Sequence, residues 1–148
     1  MNKNVTEIDD FEWQSQVRLF WTGIEPTCQV LCGGWSTSQQ NEYLGSLPRL
    51  TISPLTNRYF VFISSTLREK SAVLFHSSDA SNSIAGDVFQ EFSNLCMTPY
   101  KKVVCSPIID LKPLMQSLNG AALAAFWMYY ESLDQLQYSY LQTFNKEL

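Results

Sequence analysis

Positive charge is scarce in this sequence and is not clustered. Ten Lys and Arg stand against fourteen Asp and Glu, which gives a net charge of −4. The densest basic group is the pair Lys101-Lys102. Because nucleic-acid binding depends on a clustered basic face, we expect no nucleic-acid partner.

Long apolar runs are also missing. The longest run, residues 121–130, has ten residues, whereas a membrane-spanning helix needs about 20. The first ten residues, "MNKNVTEIDD", are polar and acidic, which is unlike a secretory signal. These absences predict a cytoplasmic chain with no membrane partner.

Metal ligands and nucleophiles are few. The sequence has one histidine, His76, and four cysteines: Cys28, Cys32, Cys96 and Cys105. Some zinc sites use the Cys28-x3-Cys32 spacing, but no second pair with a matching spacing and no nearby histidine completes such a site. We therefore expect reduced, partly buried thiols, no metal, and no Cys–His or Ser–His catalytic pair.

Aromatic and aliphatic residues, in contrast, are abundant. Hydrophobic residues make up 45% of the 148-residue chain and aromatics 14%, enough for one domain with a real core. Alternating strand-like and helix-like segments after residue 50 predict an α/β layered fold.

The first sixty residues contain several local signals. Residues 11–21 predict a short helix followed by an extended segment. "TCQVLCGGW" predicts a strand ending at Gly33-Gly34 and a hairpin across residues 33–38, with "NEYLG" on the return. Residues 49–53 predict another extended run. Ser53 and Pro54 then suit the N-cap and first position of a helix.

The second half predicts alternating elements. "SAVLFHSS", residues 71–78, resembles a buried parallel strand, and the polar loop "DASNS" follows it. "AGDVFQEFSNLC" places its apolar residues on one helical face, and "KKVVC" predicts a further buried strand. From Leu114 onward the spacing predicts one long amphipathic helix, or two helices divided near Asn119-Gly120. The residues on the face of the middle helix are Val88, Phe89, Phe92 and Leu95.

Two segments resemble a known family. "DDFEWQSQVRLFW" followed by "NEYLGSLPRLTISPLTNRYF" is similar to the start of the first AAA+ module of dynein heavy chains. "VLFHSSDASNSIAGDVFQEF" and "IIDLKPLMQSL" continue the resemblance more weakly, and the divergent dynein heavy chain domain-containing proteins also belong to this group. The matching positions are Phe11, Glu12, Trp13, Gln16, Arg18, Trp21, Glu42, Tyr43, Leu44, Gly45, Arg49, Leu50, Ile52, Pro54, Leu55, Thr56 and Arg58.

The resemblance implies two ATPase elements that this sequence does not contain. A P-loop is expected between Arg58 and Val73, but those 14 intervening residues hold no glycine, and a strand–loop–helix–strand unit needs about 30 residues. Val104 and Cys105 occupy the positions of the family's acid pair, and Asp110 beyond them predicts a helix N-cap. We therefore expect no ATP hydrolysis and hence no enzyme.

The predicted architecture is a single α/β domain, a truncated AAA+-like sheet with flanking helices, an N-terminal β-hairpin and a long C-terminal amphipathic helix. Residues 1–22 would be a linker-type lead-in and 23–60 the hairpin and adenine-side segment. Residues 61–113 would form the remnant α/β core and 114–148 a helical tail.

Three functional hypotheses follow. The resemblance implies a non-catalytic, structural or protein-binding role with dynein or axonemal partners, at the cytoskeleton or in a cilium. Alternatively, the aromatic-rich C-terminal helix would make the chain a free-standing protein-interaction module. A third hypothesis is a weak adenine site at Pro54, Leu55 and Thr56, where the resemblance implies contact with the base. Without phosphate contacts, ATP or ADP binding would be weak at most, so no cofactor is expected.

Overall fold

The structure, a computed structural model, describes residues 5–21, 23, 27–77 and 84–147. The "DASNS" loop and its part of the family resemblance lie outside the described residues. The α-helices are Phe11–Gln14 (α1), Pro54–Arg68 (α2), Ala85–Cys96 (α3), Leu111–Ala124 (α4) and Tyr138–Glu147 (α5). The strands are Arg18–Trp21 (β1), Cys28–Cys32 (β2), Trp35–Ser38 (β3), Tyr100–Val104 (β4) and Trp127–Glu131 (β5), and a 3-10 turn spans Leu133–Gln135. The chain is therefore mixed α/β, with two small sheets.

The N-terminal sheet is antiparallel in the order β1-β2-β3. The predicted end of a strand at Gly33-Gly34 is confirmed, but the hairpin turn consists of these two residues and not of residues 33–38, because residues 35–38 are strand β3. Both glycines have positive φ, +54° and +78°, as a two-residue hairpin turn requires. This turn pairs Cys32 directly with Trp35, so β3 is the return strand. The prediction that "NEYLG" returns is therefore wrong. The helix and following extended segment predicted for residues 11–21 are confirmed as α1 and β1.

Helix α2 begins where the sequence predicted. Ser53 is the N-cap and Pro54 the first helical residue. The Ser53 Oγ accepts from the Thr56 N–H at 3.3 Å, and the Thr56 Oγ1 accepts from the Ser53 N–H at 2.7 Å, which is a reciprocal capping box. The extended run predicted at residues 49–53 belongs to no strand.

The predicted buried parallel strand at residues 71–78 is wrong. Residues 71–77 form no regular structure, and Leu74 is 76% exposed. Phe75 instead packs edge-to-face on Tyr59 and Phe62 of α2, at ring-centroid distances of 5.7 and 6.0 Å. A parallel strand is stabilised by strands beside it and helices on both faces, and among the described residues only β4 and β5 pair in parallel.

The predicted C-terminal helical tail is also wrong, because it contains a strand. Helix α4 ends at Ala124 and Ala125 adopts φ +54°, after which β5 pairs in parallel with β4, from Tyr100 with Trp127 to Val104 with Glu131. The predicted division near Asn119-Gly120 falls inside α4. Aromatic residues favour the pleated geometry of a strand, and "WMYYE" therefore pairs as a strand with β4. The aromatic docking helix of the second hypothesis does not exist in that form.

Strand β4 itself is confirmed at the predicted position, although it is not buried. Lys101, Lys102 and Val104 are exposed. The Lys102 ammonium lies 3.0 Å from the Glu131 carboxylate on β5. The parallel pair joined by helix α4 has the connection typical of α/β proteins, but no third strand extends it in the described ranges.

The core gathers around helix α3, whose predicted apolar face is confirmed. Val88 and Phe92 are fully buried and Phe89 nearly so. The Phe92 ring lies 5.5 Å from Phe60 of α2, 5.8 Å from Trp35 of β3 and 6.0 Å from Trp127 of β5. A second, smaller cluster of Cys105, Leu114 and Leu136 lies under α4.

The hairpin turn touches α2 closely. A Cβ on Gly33 would lie 3.3 Å from both the Ser64 Oγ and a Val61 methyl, and Gly33 also needs its positive φ. Because Gly33 has no side chain, the end of β2 can approach α2 this closely.

Candidate functional site

The predicted adenine-side residues form the first turn of α2. Thr56 is buried, and its Oγ1 accepts from the Ser53 N–H at 2.7 Å and donates to the Ser53 carbonyl at 2.9 Å. The hydroxyl is thus used by the cap of its own helix. Leu55, in contrast, is half exposed.

Leu55 lines a shallow groove of about 270 Å³ between α2 and residues 74–76. Phe62 and Phe75 supply apolar wall, while Arg58 and His76 add polar groups. Neither Pro54 nor Thr56 lines this groove, so Leu55 is the one of the three predicted residues that contributes to it. An apolar wall of this kind can take a flat or aliphatic group.

A larger cavity, about 370 Å³, lies between α3 and the segment of residues 39–50 that crosses it. The segment is held at both ends. Gln39 Nε2 donates to the Leu95 carbonyl at 2.7 Å and the Gln40 N–H to the Cys96 carbonyl at 3.3 Å. At the other end, Arg49 Nε donates to a Glu91 Oε at 2.8 Å. We call this space the segment cavity.

Glu91 is the buried charge of the segment cavity. Its side chain is 2% exposed, whereas that of Arg49 is 70% exposed, and the Leu50 N–H lies 3.4 Å from the second carboxylate oxygen. Sequence reasoning missed Glu91. The available signal was its spacing, because Glu91 lies three residues after Val88 and four before Leu95 on the apolar side of α3.

Asn94 lies one turn beyond Glu91 and also lines the segment cavity. Its Oδ1 and Nδ2 are both buried and have no hydrogen-bond partner among the described residues. Buried polar atoms without partners are rare in native proteins and call for an explanation. The sequence contained no signal for this side chain beyond its helical position.

The cysteines are free thiols, and only Cys28 is not buried. Burial raises the pKa of Cys96 to about 12, with the nearby Cys32 as a smaller contribution. Burial also raises the pKa of Cys105. Both thiols therefore stay protonated at neutral pH and are poor nucleophiles. No group of three or more His, Cys, Asp or Glu suited to a metal occurs among the described residues.

The positions compared with an ATPase acid pair lie at the end of β4. Val104 is exposed, and the buried Cys105 donates its N–H to the Glu131 carbonyl at 2.9 Å. Asp110 occupies the predicted N-cap position of α4, but its side chain forms no capping hydrogen bond. None of the described helices is long and apolar enough to cross a membrane.

These features describe a mixed α/β protein with one cavity beside α2 and another beside α3. No protein-family model matches the chain. The curated relatives, however, are consistent along nearly its whole length, and the chain is related to the dynein heavy chains.

Three relatives illustrate this kinship. Human dynein axonemal heavy chain 3 is 26% identical over 97% of this chain and 3% of its own length. The flagellar outer-arm dynein alpha chain of Chlamydomonas reinhardtii is 29% identical over 86% of this chain and 3% of its own. Human dynein axonemal heavy chain 14 is 35% identical over 44% of this chain and 2% of its own. The chain thus spans a small part of the relatives it matches.

The kinship corrects one expectation from the sequence. The missing P-loop and acid pair led us to expect that the chain is not an enzyme. That expectation is contradicted, because the relatives are dynein heavy chains, a family of ATPases. Missing motifs in a stretch that spans 3% of the relatives' length do not outweigh that relationship.

Replacing Arg49 by Ala should lower the free energy of unfolding by about 2 kcal/mol, because a hydrogen bond to a buried charge is lost. Urea unfolding at constant m-value measures the change. The matched control is Arg68→Ala, since Arg68 pairs with Glu69 at 3.2 Å with both side chains exposed. That variant should lose less than about 0.5 kcal/mol. Equal losses for the two variants would contradict the structural role of the Arg49–Glu91 pair.

Proposed function

We propose that this chain has a structural or protein-binding role in a microtubule-motor, axonemal setting. The relatives carry axonemal and flagellar dynein names, which supports a location in a cilium or flagellum. The single observation that carries the protein-binding role is the exposure of apolar side chains on the edge strand β1.

Strand β1 is an edge strand with apolar side chains exposed on both of its faces. Leu19, Phe20 and Trp21 are 52%, 55% and 66% exposed. Successive strand residues point to opposite faces, so Leu19 and Phe20 leave both sides of the strand uncovered. Among the described residues, β1 pairs with β2 on one side and with no strand on the other. An open apolar edge is a template for pairing with another chain.

The partner that fits β1 best is a segment of a dynein heavy chain. The matched stretch is about 3% of the relatives' length, so in those proteins neighbouring parts of a much longer chain are available to cover the same edge. The parallel sheet β4-β5 has two strands, which is fewer than parallel sheets usually have. Both features support the proposal that the fold is a degenerate AAA+-like one that is completed by contacts with other dynein parts.

The double variant Phe20→Lys, Trp21→Lys should lose binding to dynein heavy chain, because charges on an edge strand oppose further strand pairing. Purified protein is immobilised and incubated with axonemal extract, and the retained dynein heavy chain is quantified by mass spectrometry. We expect the wild-type chain to retain heavy chain and the variant to retain less by about tenfold or more.

Tyr138→Lys is the matched control, because Tyr138 is also exposed but lies on α5. It should retain heavy chain as the wild type does. Circular dichroism checks that all three proteins are folded. If the wild type retains no heavy chain, or the β1 variant retains as much, the proposed role of β1 is wrong.

A second candidate function is weak adenine-nucleotide binding at the groove beside Leu55. The apolar wall and the half-exposed Leu55 support it, whereas the Thr56 hydroxyl is buried and already donates its proton to the Ser53 carbonyl, so it cannot donate to a base. We propose that ATP or ADP binds weakly at most. Stacking without phosphate contacts corresponds to a Kd of roughly 1 mM, or about 4 kcal/mol.

Titration calorimetry with ADP and Mg²⁺ tests this second candidate. We expect heats that fit a Kd near or above about 1 mM, reduced further in Leu55→Asp because a carboxylate repels the anion and removes apolar contact. Asn57→Asp, on the same helix but outside the groove, is the control for added charge. Micromolar binding would overturn the proposed weakness, and identical heats for Leu55→Asp and wild type would remove the groove as the site.

A further inference from the structure

We propose that the free chain pairs strand β1 with the β1 of a second copy, forming a symmetric dimer through an antiparallel strand pair centred on Leu19. The dimer joins the two N-terminal sheets into one continuous sheet. This inference deepens the proposed role of β1 and rests on it, because a β1 that is paired in this way is not available to a dynein heavy chain.

The first argument is the direction of the backbone groups, beginning with β2. In an antiparallel ladder, the N–H and C=O of successive residues point to opposite sides of a strand. The Gln39 N–H, directly after β3, bonds to the Cys28 carbonyl at 2.8 Å. The backbone groups of Cys28 therefore point towards β3, and those of the next residue, Gln29, point towards β1.

The same alternation sets the direction of the backbone groups on β1. Phe20 is the partner of Gln29, so its N–H and C=O bond within the sheet. The neighbouring residues Leu19 and Trp21 then point their N–H and C=O away from β2, towards the open edge. No backbone bond joins these groups to a described residue outside the sheet. A further extended strand can satisfy them.

The second argument is that the strand is complementary to itself. When two copies pair antiparallel with Leu19 facing Leu19, Arg18 of each copy lies opposite Phe20 of the other. An arginine beside an aromatic ring is a favourable cation–π pair. In the same register Trp21 lies opposite Val17, and both side chains are apolar. Cross-strand pairs of these kinds stabilise a sheet.

Other symmetric registers are less favourable. A pair centred on Arg18 would place two arginines directly opposite each other, which is destabilising. A pair centred on Phe20 would remove the contact between Arg18 and the phenylalanine ring. Within its own copy the Arg18 guanidinium lies 5.3 Å from the Trp13 ring centroid, and a planar guanidinium has a second face on which another ring can stack.

The third argument is the apolar area that the edge exposes. Leu19, Phe20 and Trp21 are each more than half exposed, and a partner strand contacts side chains on both faces of the edge. Each copy uses its β1 edge once, so the pairing closes as a dimer. Because one strand from each copy forms the contact, the interface is small, and we expect a weak dimer with a Kd of roughly 100 µM.

Charge changes test the register. In Phe20→Arg the new arginine faces Arg18 of the other copy, so the Kd should rise at least about tenfold. The double variant Arg18→Glu, Phe20→Arg places opposite charges across the pair, and its Kd should return to within about threefold of the wild-type value. A pair centred on Phe20 would gain nothing from the second change, because the two new arginines would still face each other.

Sedimentation equilibrium from about 10 µM to about 1 mM measures these Kd values. Tyr138→Arg, at an exposed position of α5, is the matched control and should dimerise as the wild type does. Circular dichroism checks that every variant is folded.

Residue-resolved hydrogen exchange of the wild type locates the interface. With a Kd of roughly 100 µM, the amides of Leu19 and Trp21 should exchange about fourfold more slowly at about 1 mM than at about 10 µM, because pairing protects them. The Phe20 amide bonds within its own sheet, so its exchange should be the same at both concentrations.

Three results would overturn the proposal: a wild-type chain that stays monomeric at about 1 mM, a double variant as weak as Phe20→Arg, or exchange at Leu19 and Trp21 that does not depend on concentration. All of these measurements use the purified chain. A chain that retains heavy chain from axonemal extract but stays monomeric contradicts this inference alone. A chain that dimerises but retains no heavy chain contradicts the role proposed above.

Discussion

The packing of the Phe92 ring holds the three parts of this molecule together. It is fully buried on α3 and lies within 6.0 Å, centroid to centroid, of aromatic rings on α2, β3 and β5. Burying a phenylalanine contributes about 1.5–3 kcal/mol from apolar area alone, and aromatic pairs add to this. The hairpin, the long helix α2 and the parallel pair thus meet at one ring, inside a cluster that also contains Val30, Ile63 and Phe89.

This arrangement explains why the described residues form two small sheets. The hairpin turn at Gly33 approaches α2 within van der Waals distance, and α2 packs directly on α3. That packing occupies the centre with helices and rings, and β4 and β5 lie beside it as an isolated parallel pair. The open edges that result, β1 above all, are the surfaces on which the proposed protein-binding role rests.

Local signals in the sequence predicted local structure well. The Gly33-Gly34 pair is typical of a tight turn because glycine readily adopts positive φ. Ser53-Pro54 combines a side-chain acceptor with a fixed φ, which is typical of a helix start. The apolar spacing of α3 was equally clear. The family resemblance, which depends on many ordered matches, was confirmed by the relatives.

Features that depend on distant partners could not be predicted in the same way. "WMYYE" continues a helical spacing from α4 and becomes a strand only because β4 offers an edge. Residues 71–77 have a strand-like composition, but no strand among the described residues pairs with them. The Arg49–Glu91 pair and the unpaired Asn94 amide arise because a loop crosses α3, a contact between residues about 42 apart in sequence. The adenine-side prediction for Pro54, Leu55 and Thr56 stays a prediction.

The central claim is that helices and aromatic rings, rather than a continuous parallel sheet, form the core of this dynein-related chain. Native-state hydrogen exchange followed by NMR tests it most directly, because amide protection reports hydrogen bonding residue by residue. The account predicts the slowest exchange in α3 around Phe92, intermediate protection in β4, and nearly unprotected amides at residues 72–76. Protection of residues 72–76 equal to that of β4 would reveal a paired strand there and would contradict the account.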